Sequence, residues 1–220
     1  MEISHVIVNG CSFTTCDGLE TPEEHGWPAL LAKKLNVPVV NLAESGSGCD
    51  GIYRRTLEYF YDNLRSYINP YSNPLYVISW SGASRREEFF HVHERDGIID
   101  DYHGVHVARP ETALEHLLAT QYASNTTLQA AEKRKYNYWV SIINLFEAHG
   151  ISYRMNDAIP ALNDMKLYLE HNSSVYNACM KNPYKIMDYS DLFANGYRLP
   201  CGHINEEGNR IMAEYIYGTL

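Results

Sequence analysis

The sequence lacks the features that point to nucleic-acid-binding, membrane-spanning or exported proteins. It has no block rich in lysine or arginine, and its formal net charge is −9. An acidic surface repels phosphate backbones and anionic lipids, so nucleic acid and membrane surfaces are disfavoured as main partners. No stretch approaches the roughly 18 apolar residues of a membrane span, and the first residues lack the basic start of a signal peptide. We therefore expect a cytoplasmic protein.

Cysteine is scarce, and its spacing does not suggest a metal site. The five cysteines form no C-x₂-C pair and match no familiar zinc module, so we predict no metal ligands. An odd number of cysteines favours free thiols in a reducing compartment. A zinc site assembled from thiols at one edge of the fold is the alternative, which zinc analysis of the purified protein tests.

The length and composition fit one globular domain. The chain has 220 residues, of which 45% are apolar, enough to bury a substantial core. It contains no internal repeat and no low-complexity tract. We predict a single domain over 1–220, with an insertion or lid at about 85–130, where the regular pattern of apolar segments breaks down.

Short apolar segments alternate with segments of helical spacing. The predicted strands are 3–8, 37–42, 75–80 and 151–155, and the predicted helices are 26–35, 51–68, 110–118, 130–149 and 206–217, the last capped by Asn205. A β-α-β-α-β order predicts parallel strands with helices on both faces. The expected fold is therefore α/β, a three-layer α/β/α sandwich with a central parallel sheet of four to five strands, of flavodoxin-like type.

Polar turns follow the first three predicted strands. Ser12 follows the first strand, Gly46 lies in the glycine-rich turn after the second, and the turn 81–85 follows the third. Because ligands on such sheets bind at the carboxyl ends of the strands, these turns are expected to converge. A serine at this edge is a candidate nucleophile, and His203, just before the last helix, is a candidate base.

Three sequence blocks occur in a fixed order around these positions. They read Gly-Cys-Ser-Phe-Thr after the first strand, Asn-Leu-Ala-Glu-Ser-Gly-Ser-Gly after the second, and Gly-His-Ile-Asn-Glu-Glu-Gly before the last helix. Together they resemble the SGNH (GDSL-like) hydrolase superfamily, in particular phage-like and bacterial members that begin with the first block. The resemblance implies a three-layer α/β/α fold, hydrolysis of esters of lipids or carbohydrates, and no metal or other cofactor.

The resemblance also assigns roles to individual residues. Ser12 matches the nucleophile, His203 the base, and the N–H groups of Ser12 and Gly46 the oxyanion hole. A serine hydroxyl needs a base within about 2.6–3.2 Å, and a fixed oxyanion donor contributes about 10²–10³ in rate. Each residue also has a structural reading: a turn serine, a surface histidine, and a glycine required for a positive φ angle.

Two positions depart from the family pattern. The asparagine expected after the third strand is absent from the turn Ser-Gly-Ala-Ser-Arg-Arg-Glu. Ser84 is the candidate third oxyanion donor there, and Arg85 is a candidate contact for a substrate carboxylate, phosphate or sulfate. Trp80 is a further candidate substrate contact. At the second position, Pro200 replaces the aspartate expected three residues before the histidine.

The missing aspartate leaves the partner of His203 open. Asp188 or Asp191 can substitute for it, or a backbone carbonyl can orient the ring in a Ser–His dyad. We predict a serine esterase that acts on a small acyl or acetyl ester, such as a carbohydrate ester, through an acyl-enzyme on Ser12. The alternative is a catalytically weak or inactive SGNH-fold module that binds a sugar or a protein partner. No oligomeric state is predicted.

Overall fold

A computed structural model describes residues 2–67, 72–83, 85–94, 97–106, 127–159 and 163–220. The strands in these ranges are β1 His5–Asn9, β2 Val39–Asn41, β3 Pro74–Trp80, β4 Arg85–Glu94, β5 Gly97–His106 and β6 Ser152–Asp157. The helices in these ranges are α1 Ser12–Thr15, α2 Pro22–His25, α3 Trp27–Leu35, α4 Cys49–Tyr67, α5 Leu128–His149, α6 Asn163–Asn172, α7 Ser174–Met180, α8 Tyr189–Ala194 and α9 Glu206–Gly218.

The main sheet contains four parallel strands in the order β2-β1-β3-β6. This confirms the predicted parallel sheet. In the register, Val8 pairs with Asn41 on one side and with Val77 on the other. The carboxyl ends of the neighbouring strands therefore lie close together, at the edge where ligands bind to such sheets.

Alternate residues of the strands point to two separate hydrophobic layers. Ile7 of β1 packs into a layer built with α4, α5, α6 and α7. Its neighbours Val6 and Val8 face the opposite side of the sheet, where α3, α8 and α9 pack. This two-residue alternation is what a sheet covered on both faces requires. The three-layer α/β/α prediction is confirmed.

The last helix begins where the sequence predicted. The side chain of Asn205 caps α9 by accepting a hydrogen bond of 2.9 Å from the N–H of Gly208. Such a cap satisfies one of the free N–H groups of the first turn. No helix within the described ranges is long and apolar enough to cross a membrane.

Strands β4 and β5 form a separate antiparallel pair that the sequence patterns did not predict. Their register pairs Arg85 with His106 and Glu94 with Gly97. The rest of the predicted insertion, up to the start of α5, lies outside the described residues at 107–126. The lid therefore stays a prediction.

A buried lysine joins α5 to the carboxyl end of β6. The ammonium of Lys135 lies 2.9 Å from Oδ2 of Asp157 and 3.0 Å from Oε2 of Glu132, and all three side chains are almost completely buried. The hydroxyl of Tyr136 donates to the same Oδ2 at 2.9 Å. Burial raises the pKa of Asp157 to about 6, although the positive charge of Lys135 opposes this shift. The cluster depends on that charge, because two carboxylates share one buried site.

Removing the buried ammonium is expected to destabilise the fold strongly. Lys135→Met leaves two carboxylates without their cation, and breaking a buried ion pair on one side costs about 3–5 kcal/mol. Urea unfolding measures the free-energy difference. Arg210→Met is the matched control, because Arg210 also pairs with two glutamates, Glu207 and Glu214, but on the surface. A midpoint for Lys135→Met as high as that of the control would contradict the structural importance of the cluster.

Candidate active site

Ser12 begins α1, three residues after Asn9, the last residue of the central strand β1. The turn before it is compact, because a Cβ atom on Gly10 would lie 2.1 Å from Oγ1 of Thr14 and 3.1 Å from the carbonyl oxygen of Ser79. Only glycine fits at this position. Asn9 fixes the turn further: its Oδ1 accepts the N–H of Gly10 at 2.8 Å. The result is a buried serine, 5% exposed, held at the carboxyl edge of the sheet.

His203 lies in a second tight turn, just before α9. The N–H of Leu199 donates to the carbonyl of His203 at 2.7 Å, and the N–H of Gly202 donates to the carbonyl of Leu199 at 2.9 Å. Pro200 is the second residue of the turn that this last bond closes, a position that its fixed φ angle favours. Pro200, at the position where the resemblance to SGNH hydrolases predicts an aspartate, therefore shapes the backbone of the turn and supplies no carboxylate.

The two turns pack against each other. The rings of Phe13 and His203 have their centroids 5.1 Å apart. A Cβ atom on Gly18 would lie 2.8 Å from Sγ of Cys201 and 3.1 Å from a methyl carbon of Leu199. The structure thus brings the segment that carries Ser12 together with the segment that carries His203, at one edge of the sheet.

The buried side chain of Asn209 on α9 supports this contact. Its Oδ1 accepts hydrogen bonds from the N–H of Trp27 at 3.0 Å and from the thiol of Cys16 at 3.2 Å. The indole N–H of Trp27 and the hydroxyl of Tyr189 each donate to the carbonyl of Phe13 at 3.3 Å. α1 is therefore bonded to α3, α8 and α9. No sequence signal marked Asn209, because its role depends on three elements meeting.

The turn that contains Gly46 lies next to the Ser12 turn. The N–H of Ser47 donates to the carbonyl of Glu44, and Gly46 has a φ angle of +83°, which favours glycine. The N–H of Glu44 in turn donates to the carbonyl of Gly10 at 3.3 Å. Within the described part of the chain, no acceptor receives the N–H of Ser12 or of Gly46. Neither N–H group predicted to bind the oxyanion is therefore used by a protein acceptor in these ranges.

The surroundings of His203 favour its neutral form. Burial lowers the pKa of the imidazole; the nearby charge of Asp17 opposes this shift, and that of Arg85 reinforces it. A neutral imidazole can accept a proton, as a general base must. Its Nδ1 atom is buried and has no hydrogen-bond partner among the described residues. The backbone carbonyl predicted as an alternative partner of the ring is therefore not bonded to Nδ1.

The two aspartates predicted as substitutes have other partners. Asp188 accepts the N–H of Asp157 at 2.9 Å and the ammonium of Lys185 at 2.9 Å. Asp191 accepts the N–H of Asp188 at 3.1 Å, at the start of α8. Neither carboxylate is hydrogen-bonded to His203 in the structure. Asp188 is bonded to the end of β6, and Asp191 is bonded at the start of α8.

The residues predicted to form the site around the third turn have different surroundings in the structure. Ser84 lies outside the described residues. Arg85 begins β4, and its half-buried side chain lines a small cavity with Cys49, Asp50, Arg134 and Lys135. Trp80 is completely buried and stacks on Trp139 with a centroid distance of 6.1 Å, so the structure places it in the core rather than on a ligand-binding surface.

All five cysteines are free thiols, and only Cys201 is exposed. Burial raises the pKa of Cys16 to about 12 and that of Cys49 well above its usual range, so both stay protonated. Across the described ranges, no three His, Cys, Asp or Glu side chains come together in an arrangement that could hold a metal ion.

A family model, described as a family of unknown function (DUF6071), matches residues 13–190. The chain belongs to this DUF6071 family. The match begins directly after Ser12 and ends before His203, so neither predicted catalytic residue lies inside it. No curated protein matches the sequence of this chain.

Solved structures resemble the DUF6071 chain over almost its whole length. A protein of Desulfitobacterium hafniense DCB-2 assigned to the lipolytic G-D-S-L family has a TM-score of 0.55 at 17% identity, covering 99% of both chains. The esterase EstA from Pseudoalteromonas sp., inhibited by monoethylphosphonate, has a TM-score of 0.54 at 12% identity, covering 98% and 96%. The acetyl xylan esterase AlAXEase has a TM-score of 0.52 at 14% identity, covering 98% and 99%. This DUF6071 chain therefore has the fold of GDSL-type hydrolases.

The hydrogen bonds of Asn209 generate a prediction about stability. Asn209→Ala removes the acceptor for Trp27 and Cys16, and an unsatisfied buried donor costs about 1–3 kcal/mol. The loss is measured by urea unfolding. Asn195→Ala is the matched control, because the Asn195 side chain is exposed and bonds only within its own helical turn. Equal stability of the two variants would contradict the role of Asn209 in joining α1 to α9.

Proposed function

We propose that the chain is a serine ester hydrolase in which Ser12 is the nucleophile and His203 is the base. The observation that carries the proposal is the packing of the His203 ring against Phe13, the residue next to Ser12, with the ring centroids 5.1 Å apart. The GDSL-type fold supports it, because the proteins of that fold named above are described as lipolytic proteins or esterases.

The proposed reaction has two halves. His203 takes the proton of the Ser12 hydroxyl as the oxygen attacks the ester carbonyl, and the N–H groups of Ser12 and Gly46 stabilise the resulting oxyanion. The tetrahedral intermediate collapses, and the alcohol leaves with the proton from His203. Water then attacks the acyl-enzyme while His203 accepts its proton. The carboxylic acid leaves, and the proton returns to Ser12.

The proposed substrate is a small-molecule ester with a small acyl or acetyl group, such as a carbohydrate ester. The likeness of the fold to an acetyl xylan esterase supports this choice. The guanidinium of Arg85, which lines a small cavity, is the proposed contact for an anionic group of the substrate. Ser84 is kept as a third oxyanion donor. The reaction needs no cofactor in this proposal.

We further propose that the chain forms one domain and that the segment at about 85–130 acts as an insertion or lid over the site. The lid proposal is supported by the close approach of Gly48 to the backbone of Arg85. A Cβ atom on Gly48 would lie 2.7 Å from the carbonyl oxygen of Arg85. The five free thiols support a reducing, cytoplasmic location.

A second function is favoured by two departures from the pattern of the SGNH hydrolase superfamily. Pro200 stands where that superfamily has an aspartate, and the segment 81–87 contains no asparagine. These features fit a catalytically weak or inactive module that uses the same edge to bind a sugar or a protein partner. The two functions differ in one chemical property, the reactivity of the Ser12 hydroxyl.

Labelling with a fluorophosphonate probe tests the reactivity of Ser12. The folded protein is expected to be labelled at Ser12, because the probe reacts only with an activated serine. Ser12→Ala is expected to lose labelling and at least about 10³-fold of p-nitrophenyl acetate turnover. Ser141→Ala, which changes an exposed serine on α5, is the control and is expected to keep both. A folded wild-type protein that stays unlabelled would favour the binding module, and turnover retained in Ser12→Ala would remove Ser12 from the mechanism.

The pH dependence of turnover tests His203. Because burial lowers the pKa of His203 below its usual 6.5, the neutral base persists to more acidic pH than for an ordinary histidine. The rising limb of kcat/KM is therefore expected to have its midpoint below pH 6.5. Turnover is measured from pH 4.5 to pH 9 with a neutral ester. A midpoint clearly above 6.5 would contradict the role assigned to His203 in this environment.

A further inference from the structure

The guanidinium of Arg55 on α4 binds the turn that contains Gly46 at three points. Its Nε donates to the carbonyl of Leu42, before the turn, at 2.9 Å. Its Nη1 donates to Oε2 of Glu44 at 2.7 Å, and its Nη2 donates to the hydroxyl of Ser47 at 2.5 Å. Because the donors of a guanidinium lie in one rigid plane, these bonds fix both the position and the orientation of the turn.

Most of this contact is shielded from water. The side chain of Arg55 is 10% exposed, and Ser47 is 6% exposed. Hydrogen bonds from a charged donor are stronger than neutral ones, and burial limits their screening by salt. The side chain of Glu44 is 62% exposed, so its ion pair with Arg55 contributes little. The bonds to the Leu42 carbonyl and to the Ser47 hydroxyl are therefore the ones that hold the turn.

The same helix also binds the residue that fixes the turn before Ser12. The side-chain amide of Asn9 donates to the carbonyl of Ile52 and to the hydroxyl of Thr56, both at 2.9 Å. Thr56 directly follows Arg55 in α4. A single turn of α4 thus anchors both segments that form the proposed oxyanion hole.

The Gly46 turn has a further attachment on its outer side. The hydroxyl of Ser45 donates to the carboxylate of Asp17, just after α1, in a short hydrogen bond at the surface. This bond joins the turn to the segment that carries Ser12 but not to α4. Removal of Arg55 is therefore expected to free the turn relative to the helix.

We propose that Arg55 is a positioning residue that holds the N–H of Gly46 where it can bind the oxyanion of the reacting ester. It acts through the backbone of the turn and not on the substrate. An oxyanion donor is effective only when it is fixed before the reaction, and a misplacement of about 1 Å costs about 10²-fold in rate. The proposal deepens the proposed function and rests on it for its catalytic meaning. The hold of Arg55 on the turn is measurable without turnover.

The direct test is amide hydrogen exchange, measured by NMR in the whole protein. The N–H of Ser47 closes the turn on the carbonyl of Glu44 at 3.2 Å. Arg55→Met removes the three bonds to the turn but keeps an unbranched side chain, so this N–H is expected to exchange at least about 10-fold faster. Arg54→Met is the matched control, because Arg54 is the preceding residue and pairs with Glu58 of the same helix. It is expected to leave the exchange of Ser47 unchanged.

If Arg55→Met does not fold, Arg55→Lys replaces it. Lysine keeps the positive charge but lacks the planar set of donors that reaches three acceptors. Faster exchange of the Ser47 N–H is expected in this variant too.

A second readout connects the position of the turn to reactivity. Turnover of p-nitrophenyl acetate is measured per active site, with the sites counted by complete fluorophosphonate labelling. In Arg55→Met, kcat/KM per site is expected to fall by about 10–10²-fold, with KM changed by less than about twofold, because the oxyanion exists only in the transition state and the intermediates that follow it.

A trifluoromethyl ketone measures the oxyanion hole itself. The Ser12 oxygen adds to the carbonyl carbon of the ketone, the serine proton passes to His203, and the carbonyl oxygen becomes an oxyanion. The affinity for this inhibitor is expected to fall by the same factor as kcat/KM. A merely structural role of Arg55 would lower the number of active sites but leave turnover per site and ketone affinity unchanged.

The outcomes separate this proposal from the proposed function. An unchanged exchange rate of the Ser47 N–H in a folded Arg55 variant would overturn the role of Arg55, whatever the turnover shows. Faster exchange with unchanged turnover per site and unchanged ketone affinity would also overturn it. Faster exchange in a protein whose wild-type Ser12 stays unlabelled would support the hold of Arg55 on the turn but reject its part in ester hydrolysis, together with the proposed function. Faster exchange with parallel losses of turnover and ketone affinity would support both.

Discussion

The buried amide of Asn209 joins the two ends of the chain, and the geometry of the candidate site depends on it. Its oxygen accepts from the thiol of Cys16, 193 positions earlier in the sequence, and from the backbone of Trp27. Because buried polar groups must be hydrogen-bonded, α9 has a well-defined position against α1. The segment that contains Phe13 and the turn that contains His203 are thereby brought into contact.

Two kinds of titratable site occur at the same edge of the sheet. At the end of β6, Lys135 neutralises the carboxylates of Asp157 and Glu132 in a closed cluster, which suits a structural role. Next to Phe13, burial lowers the pKa of the His203 imidazole, while the charges of Asp17 and Arg85 act on that pKa in opposite directions. The first arrangement stabilises fixed charges, while the second keeps a proton acceptor available, which is what base catalysis requires.

Much of the fold was predictable because the elements carry strong local patterns. The apolar runs of β1 and β3, the helical spacing of α5 and the cap at Asn205 are properties of neighbouring residues. The predictions that failed or stayed open concern contacts between distant residues. Trp80 follows the pattern of a residue at a strand end, yet its ring is covered by Trp139 of α5. Asp188 was near enough in sequence to serve His203, but its carboxylate bonds to the end of β6.

The sequence by itself determined the order of the parallel strands and of the longer helices, the two-sided sheet and the position of Ser12 and Gly46 at its carboxyl edge, because periodicity and turn residues act locally. Only the tertiary structure decided which polar side chain joins α1 to α9. Asn209 acquires this role from neighbours on other elements. No local pattern encodes such neighbours, since they are set by how whole helices pack on the sheet.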